Sequence, residues 1–184
     1  IVIAVLVPLS RMNLGVHTPL DVGVAAVIAV VLVFALYPVM ARSESEPRVM
    51  AVVLAVMLAL AAGYLLFVSV YPFPADVDAE NLASGVENAW KILGATAGML
   101  AGWWLDVKYI HFDTGGAWYV QAVKLVGGLA LILVIRAGLK APLAALLGAG
   151  AGGAVRYAVV VLFAAAVWPL TFAPLRRVLE KRKI

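Results

Sequence analysis

Residues 49–70 read VMAVVLAVMLALAAGYLLFVSV, a run without one charged side chain. A helix needs about 20 apolar residues to cross the hydrocarbon core of a bilayer, so this run predicts a membrane span. The whole chain of 184 residues is 65% hydrophobic and only 13% charged, whereas a soluble domain is about half apolar and about a quarter charged. The sequence therefore predicts an all-α, polytopic transmembrane helix bundle, and a water-soluble domain is a poor alternative.

Similar apolar runs predict about six spans in a single membrane domain over residues 1–184. The first, Ile1–Leu9, is apolar from its first residue and is expected to be the end of a truncated span. The segment Lys140–Gly153 is too short to cross twice and is expected to form a short or re-entrant helix. The charged residues Arg42–Arg48 are expected to form a turn. The five other spans are expected at about 19–41, 49–70, from 84 to 105, 117–139 and 154–172.

Local patterns predict how some of these helices begin and pack. Thr18 is a suitable N-cap for a helix whose first residue is Pro19, with Asp21 in the first turn. The S-x-x-E pattern Ser84–Glu87 predicts a capping box at the start of the fourth span. Glycines recur in that span at four-residue spacing, which favours close approach of a neighbouring helix. They are Gly94, Gly98 and Gly102.

Composition and charge exclude several kinds of site. The chain has no cysteine, so disulfides, thiolate metal sites and a cysteine nucleophile are excluded. Its net charge of +4 comes largely from the tail at residues 175–183, LRRVLEKRK, directly after an apolar span. Basic residues there indicate membrane topology and attraction to anionic lipids rather than nucleic-acid binding. Because the tail's face is the more basic one, the C-terminus is expected in the cytoplasm and the loop at residues 10–21 outside it.

Residues 10–21 read SRMNLGVHTPLD and place a cation, an imidazole and a carboxylate at the mouth of a membrane helix. His17 and Asp21 are four apart, so they share one face if the helix extends back to His17. Asp21 could then fix the tautomer of His17 and leave its other ring nitrogen nucleophilic. Arg11 offers a guanidinium fork for phosphoryl oxygens, and the helix N-terminus offers free N–H groups for an anion. These groups predict attack by histidine on a bound phosphoryl group.

The pattern S-R-x5-H-x3-D resembles the third signature motif of the type-2 phosphatidic acid phosphatase family. The resemblance implies that His17 is the nucleophile of a phosphohistidine mechanism, that Asp21 orients it, and that Arg11 and Ser10 bind phosphate. It implies no metal and no cofactor. Residues 1–41 would be the remnant of the catalytic core, and 42–184 additional spans with a basic cytoplasmic tail. This long extension is similar to the sphingosine-1-phosphate phosphatase-like branch and its bacterial relatives.

The chain departs from the family pattern in one important respect. The two earlier motifs of the family, K-x6-R-P and P-S-G-H, do not occur in these 184 residues. The second supplies the acid that protonates the leaving group, and His111 is expected on the opposite membrane face from His17, as an ordinary interfacial residue. We therefore expect the chain to be a fragment of an enzyme of the bacterial plasma membrane that is inactive by itself. Its expected partners are the bilayer and a lipid phosphate substrate.

Alternatives remain for other charged residues and for the function. Four basic residues are predicted near the face of His17, where they could hold an anionic headgroup or extend to the interface as ordinary flanking residues. They are Lys91, Arg136, Lys140 and Arg156. The acidic loop at residues 76–80 is expected to be solvated rather than a cation site. The main alternative to a phosphatase is a non-catalytic membrane protein that binds lipid or a partner, and a transporter is less favoured. The sequence selects neither the lipid nor the oligomeric state.

Overall fold

The computed structural model describes residues 2–15, 18–74 and 76–181, without the side chains of residues 2–5, 11, 44 and 181. These residues are almost entirely helical and include no strand, which confirms the all-α prediction. Short π-helical turns occupy Asp106–Ile110 and Phe163–Val167, and a 3₁₀ turn occupies Pro169–Thr171. The α-helices are α1 (Val2–Asn13), α2 (Pro19–Ser45), α3 (Pro47–Val70), α4 (Ala79–Leu105), α5 (Trp118–Gly138), α6 (Lys140–Leu162) and α7 (Phe172–Lys181).

Four helical stretches in the described part of the chain are long and apolar enough to cross a membrane. They are Pro19–Ser43, Pro47–Val70, Trp118–Gly138 and Lys140–Glu180. They correspond to four of the six predicted spans. The predicted first span, Ile1–Leu9, overlaps α1, which has 12 residues and is shorter than a full span. The fourth corresponds to α4, which has 27 residues but carries polar side chains through its first half. The membrane helix bundle is confirmed.

The chain divides into two compact units, Ile1–Met50 and Ala51–Ile184, and each is described by itself. In the first unit, α2 is apolar around its whole circumference and no residue of its most apolar window is buried. A helix that is apolar on all sides requires an apolar environment on all sides, which a bilayer supplies. The assignment of residues 1–184 to one membrane domain stays a prediction.

Two predicted boundaries were wrong. The turn expected at Arg42–Arg48 is shorter, because α2 continues to Ser45 and α3 begins at Pro47, which leaves only Glu46 between them. The capping box expected at Ser84–Glu87 is not the start of α4. Asp78 caps that helix instead, and its Oδ1 accepts a hydrogen bond of 2.8 Å from the N–H of Asn81. Good helix formers follow Asp78, so α4 starts before Ser84.

In the second unit, α4 packs against the second half of α6, and the glycine stripe makes this contact possible. The two segments run in the same direction, because Gly94, Gly98 and Gly102 face Ala154, Ala158 and Ala165 in that order. A Cβ added at Gly98 would lie 2.5 Å from the backbone oxygen of Ala158, and one at Gly102 would lie 2.6 Å from the Cβ of Ala165. The predicted close packing on this stripe is confirmed. A smaller apolar cluster joins α3 to the start of α4 through Leu65, Val68 and Ala89.

The segment predicted as a short helix at Lys140–Gly153 is instead the tip of a long helical hairpin. Gly148 has φ 79° and ψ 171°, so the chain reverses there and the α6 arm at residues 140–147 is brought against the arm that starts at 149. The backbone of Leu143 lies where a Cβ on Gly152 would be. The first arm continues α5 with one irregularity at Leu139. Pro142 explains this irregularity. In a regular helix its ring would clash with the carbonyl of Gly138, and proline has no N–H to donate to that carbonyl.

The other end of the hairpin carries α7. Arg176 of α7 forms ion pairs with Asp113 at 2.9 Å and with Glu180 at 3.2 Å. The loop after α4 and the C-terminal helix therefore lie at the same end of the second unit, as the sequence predicted. Lys124 is buried there, and its Nζ donates a 2.9 Å hydrogen bond to the carbonyl of Gly115 and lies 4.6 Å from the ring centroid of Phe172.

Candidate functional site

The first half of the predicted phosphatase motif lies at the end of α1. The backbone is helical through Ser10 and Arg11, and the carbonyl of Ser10 accepts a 3.0 Å hydrogen bond from the N–H of Leu14. Gly15 then leaves the helix with φ +70°, a conformation that glycine adopts readily. Arg11 thus lies in the last turn of α1, directly before the loop. Its side chain and the whole of His17 lie outside the described residues, so their roles stay predictions.

Asp21 lies in the first turn of α2, where it closes a capping box with Thr18. The Asp21 Oδ2 accepts a 2.9 Å hydrogen bond from the Thr18 N–H, and the Thr18 Oγ1 accepts one of 3.2 Å from the Asp21 N–H. The predicted cap, the N1 proline and the first-turn carboxylate are all confirmed. A carboxylate has acceptor positions on both oxygens, so the capping bond is compatible with a second role for Asp21.

The helical argument for pairing His17 with Asp21 does not apply. Thr18 is extended, with φ −83° and ψ 159°, and α2 begins only at Pro19. The four-residue spacing therefore does not place the two side chains on one face of a helix. The N-cap geometry is the physical reason, because an N-cap residue has non-helical torsions and ends the regular spacing. Any contact between Asp21 and His17 must arise from the loop conformation.

The N-terminus of α2 offers fewer free N–H groups than expected. Pro19 has none, the N–H of Asp21 is taken by Thr18 Oγ1, and that of Val22 donates to the Thr18 carbonyl at 3.2 Å. Only the N–H of Leu20 has no acceptor among the described residues of this turn. The carboxylate of Asp21 also occupies the positive end of the helix dipole. A phosphoryl group at this loop would consequently depend on side chains more than on the helix terminus.

Below the loop, α2 presents an open apolar groove of about 350 Å³. It follows one face of the helix for two turns and contains no polar side chain. Its lining residues are Pro19, Leu20, Gly23, Val24, Val27 and Ile28. A polar loop followed by an apolar surface matches the two parts of a lipid. The headgroup would contact the loop, and the acyl chain would contact the groove.

The four basic residues predicted near the face of His17 have different environments in the second unit. Lys91 forms a 2.9 Å ion pair with Glu87 and donates a 3.2 Å hydrogen bond to the side chain of Asn88. Arg156 is buried, whereas Arg136 and Lys140 are exposed. Arg136 makes no hydrogen bond or ion pair within the described residues. The same is true of Lys140, and Lys91, Lys140 and Arg156 are considered again below.

His111 and the acidic loop have structural roles. His111 ends the π-helical turn after α4 in a left-handed conformation, with φ 48°, and its N–H donates a 3.0 Å hydrogen bond to the carbonyl of Asp106. Asp78 of the acidic loop is the cap of α4. No group of histidine and acidic residues suited to a metal ion occurs in the part of the chain that the structure describes. The observed contacts of His111 and Asp78 are therefore those that end and begin α4.

Comparison with known families identifies the second unit. Residues 90–181 match the family model described as the transmembrane extension of PAP2 superfamily phosphatases. The chain belongs to the PAP2 superfamily phosphatases. The matched region begins in α4 and includes the glycine stripe, the hairpin and α7. It does not include residues 10–21, so the family membership and the motif are separate observations that point to the same family.

Comparison with curated proteins and with solved structures gave no match. Membership of the PAP2 superfamily indicates phosphatase activity in general and an integral membrane protein with a lipid-phase substrate. Sequence reasoning placed the basic residues of the extension near one face but missed how the hairpin combines them. Pro142 and Gly148 were the available signals.

Proposed function

We propose that this PAP2 protein hydrolyses a lipid phosphate or diphosphate at the extracytoplasmic membrane face, with His17 as the nucleophile. The observation that carries the proposal is the pattern Ser10, Arg11, His17 and Asp21 at the start of a membrane helix in a PAP2 superfamily chain. The capped start of α2 fixes the backbone position of Asp21, and the apolar groove below it suits an acyl chain.

The chemistry proceeds in two displacements. Arg11, with Ser10, binds the phosphoryl oxygens and neutralises part of their charge. A ring nitrogen of His17 attacks phosphorus, the P–N bond forms, and the bond from phosphorus to the lipid oxygen breaks. Asp21 accepts a hydrogen bond from the other ring nitrogen and stabilises the positive charge that develops on the ring. Water then attacks the phosphohistidine, the P–N bond breaks, and inorganic phosphate leaves.

The departing lipid oxygen must receive a proton, and these 184 residues contain no P-S-G-H motif to supply it. We expect His111, whose backbone ends the turn after α4, to lie on the opposite membrane face from His17 and not to supply this proton. Loss of a general acid typically costs a factor of about 10²–10⁴ in rate. We therefore propose activity for the protein encoded by the complete open reading frame that contains these residues, and expect the 184-residue chain alone to be inactive or nearly so.

The test is phosphate release from lipid phosphates and diphosphates in vesicles by the protein from the complete reading frame. His17→Ala should abolish turnover and the acid-labile phosphoenzyme while leaving membrane insertion unchanged. Asp21→Asn keeps an oxygen acceptor for the capping bond but loses the charge, so it should slow turnover. The matched control is Thr18→Ala, which removes the hydroxyl half of the same cap and should leave most activity. Normal turnover by the His17 variant would show that another residue is the nucleophile.

A second candidate is a non-catalytic membrane protein that binds lipid or a partner. The absence of both earlier motifs from the 184 residues favours it. It predicts that the complete protein releases no phosphate from any lipid and that His17→Ala changes nothing measurable. The same assay therefore separates the two candidates.

A further inference from the structure

The hairpin brings cations from three parts of the chain together. Its two arms are antiparallel: Leu143 lies against Gly152 near the tip, and near the other end the indole N–H of Trp168 donates a hydrogen bond to the carbonyl of Lys124. Continuing this pairing by three residues from Leu143 places Lys140 level with Val155, the residue directly before Arg156. On the other side, α4 contributes Lys91, whose Cγ would lie 3.6 Å from a Cβ on Gly153.

Arg156 is the central member of this group, and it forms no hydrogen bond or ion pair with the described part of the chain. The residue is only 8% exposed, and its Nε atom is buried without a hydrogen-bond acceptor. Its nearest aromatic contact is the ring of its neighbour Tyr157, 5.5 Å from the guanidinium carbon. A buried guanidinium in a membrane protein is costly, so such residues pair with an anion or face a polar cavity.

The carboxylate that lies among these cations is that of Glu87, which is already paired with Lys91 at 2.9 Å. Glu87 precedes the apolar part of α4. Lys91 lowers the pKa of Glu87 most, and the charges of Arg156 and Lys140 lower it less, in keeping with the placement of the three cations by the hairpin. Glu80 lies two helical turns earlier in α4, about 10 Å along the axis. Three positive charges therefore surround one carboxylate, and the excess is two positive charges.

The length of α5 predicts that the group lies at the depth of lipid phosphates. From Trp118 at the start of α5 to Lys140 the helix rises about 33 Å, which is close to the ~30 Å thickness of the hydrocarbon core. With the aromatic start of α5 at one interface, Lys140 and Arg156 reach the opposite headgroup region. A phosphate monoester carries about −1.5 to −2 charges at neutral pH, so its charge matches the excess.

We propose that Arg156, together with Lys91 and Lys140, forms a binding site in the PAP2 extension for a phosphate group, carried by a membrane lipid as a monoester or present as free phosphate. Arg156 donates charge-assisted hydrogen bonds to the phosphate oxygens, and the two lysines complete the charge balance. The site lies wholly in the second unit and does not depend on catalysis by His17. It would retain a phosphorylated lipid, or a released phosphate, beside the extension.

The test measures binding of phosphatidate to the 184-residue chain in phosphatidylcholine nanodiscs, with native mass spectrometry of retained lipid as the readout. Arg156→Gln should weaken phosphatidate binding by about tenfold or more, as expected for loss of hydrogen bonds to a charged group. Arg156→Lys should retain part of it. Arg177→Gln is the matched control, because it removes the same charge from the exposed side of α7 and should bind as the parent chain does.

The competition arms identify the source of the phosphate. Displacement of phosphatidate by millimolar inorganic phosphate supports a site for free phosphate, and resistance to it supports a site for the lipid. Equal binding by the parent and the Arg156→Gln chain would overturn the proposal, as would equal retention of phosphatidate and phosphatidylcholine. Loss of a dimer in Arg156→Gln with phosphatidate binding intact would also overturn it, since the counterion would then be a carboxylate of another copy.

Discussion

Replacement of Gly98 by alanine should destabilise the extension, although alanine is the better helix former. The added Cβ would lie 2.5 Å from the backbone oxygen of Ala158, about 0.9 Å inside ordinary van der Waals contact. Because the obstacle is backbone, α4 and α6 must move apart along their whole contact. Overpacking of this kind typically costs about 1–3 kcal/mol, which exceeds the gain of about 1 kcal/mol from helix propensity. The clash is with backbone, so the cost should be near the upper end of that range and the net loss should reach about 2 kcal/mol.

The assay is reversible unfolding in mixed detergent micelles, followed by tryptophan fluorescence and circular dichroism. Gly85→Ala is the matched control, since it lies in the same helix and its added Cβ meets nothing within 4 Å. It should leave stability unchanged or raise it slightly. Gly94→Ala should cost more than Gly98→Ala, because its Cβ would overlap the backbone oxygen of Ala154. Equal stability of the Gly98 and Gly85 variants would refute the proposed backbone contact.

The hairpin gives two further predictions in the same assay. Gly148→Ala should cost about 1–3 kcal/mol, because φ 79° with ψ 171° is accessible essentially to glycine alone, whereas Gly138→Ala places a methyl group in open space and should be neutral. A stable Gly148 variant would contradict the chain reversal. Trp168→Phe should cost about 1 kcal/mol, because it removes the 3.0 Å hydrogen bond to the Lys124 carbonyl. Trp118→Phe, at a site that is 80% exposed, is the control and should cost little. Equal effects of the two substitutions would argue against that hydrogen bond.

The sequence predicted the fold class well, because span-length apolar runs have few physical solutions. It also predicted the cap of α2, since Thr18, Pro19 and Asp21 act on their own backbone and need no distant partner. It placed the start of α4 wrongly at Ser84. Two capping residues, Asp78 and Ser84, occur six residues apart. The helix starts at the earlier one because the residues between them favour helix. Glu87 was consequently available to pair with Lys91.

The candidate site was predictable only in its composition. The motif predicts that Arg11, His17 and Asp21 form the site. The distances among them depend on the torsions of a loop, and a periodic sequence pattern does not predict loop torsions. The observed cap shows this directly, because Thr18 is extended and removes the helical relation between His17 and Asp21. The chemistry inferred from residue types therefore stays a prediction, whereas the helical relation inferred from the spacing of His17 and Asp21 is wrong.

The same distinction explains why the cations of the extension were predicted on one face but not as a group. The hairpin tip at residues 141–151 is as apolar as the spans on either side, so hydropathy gives no sign of where the chain reverses. Reversal depends on a single backbone conformation at Gly148, and the glycine-rich sequence around it offers several equivalent positions. Moving the reversal by one residue would rotate Lys140 by about 100° relative to Arg156. The charge group therefore depends on the exact position of the turn, which only the structure supplies.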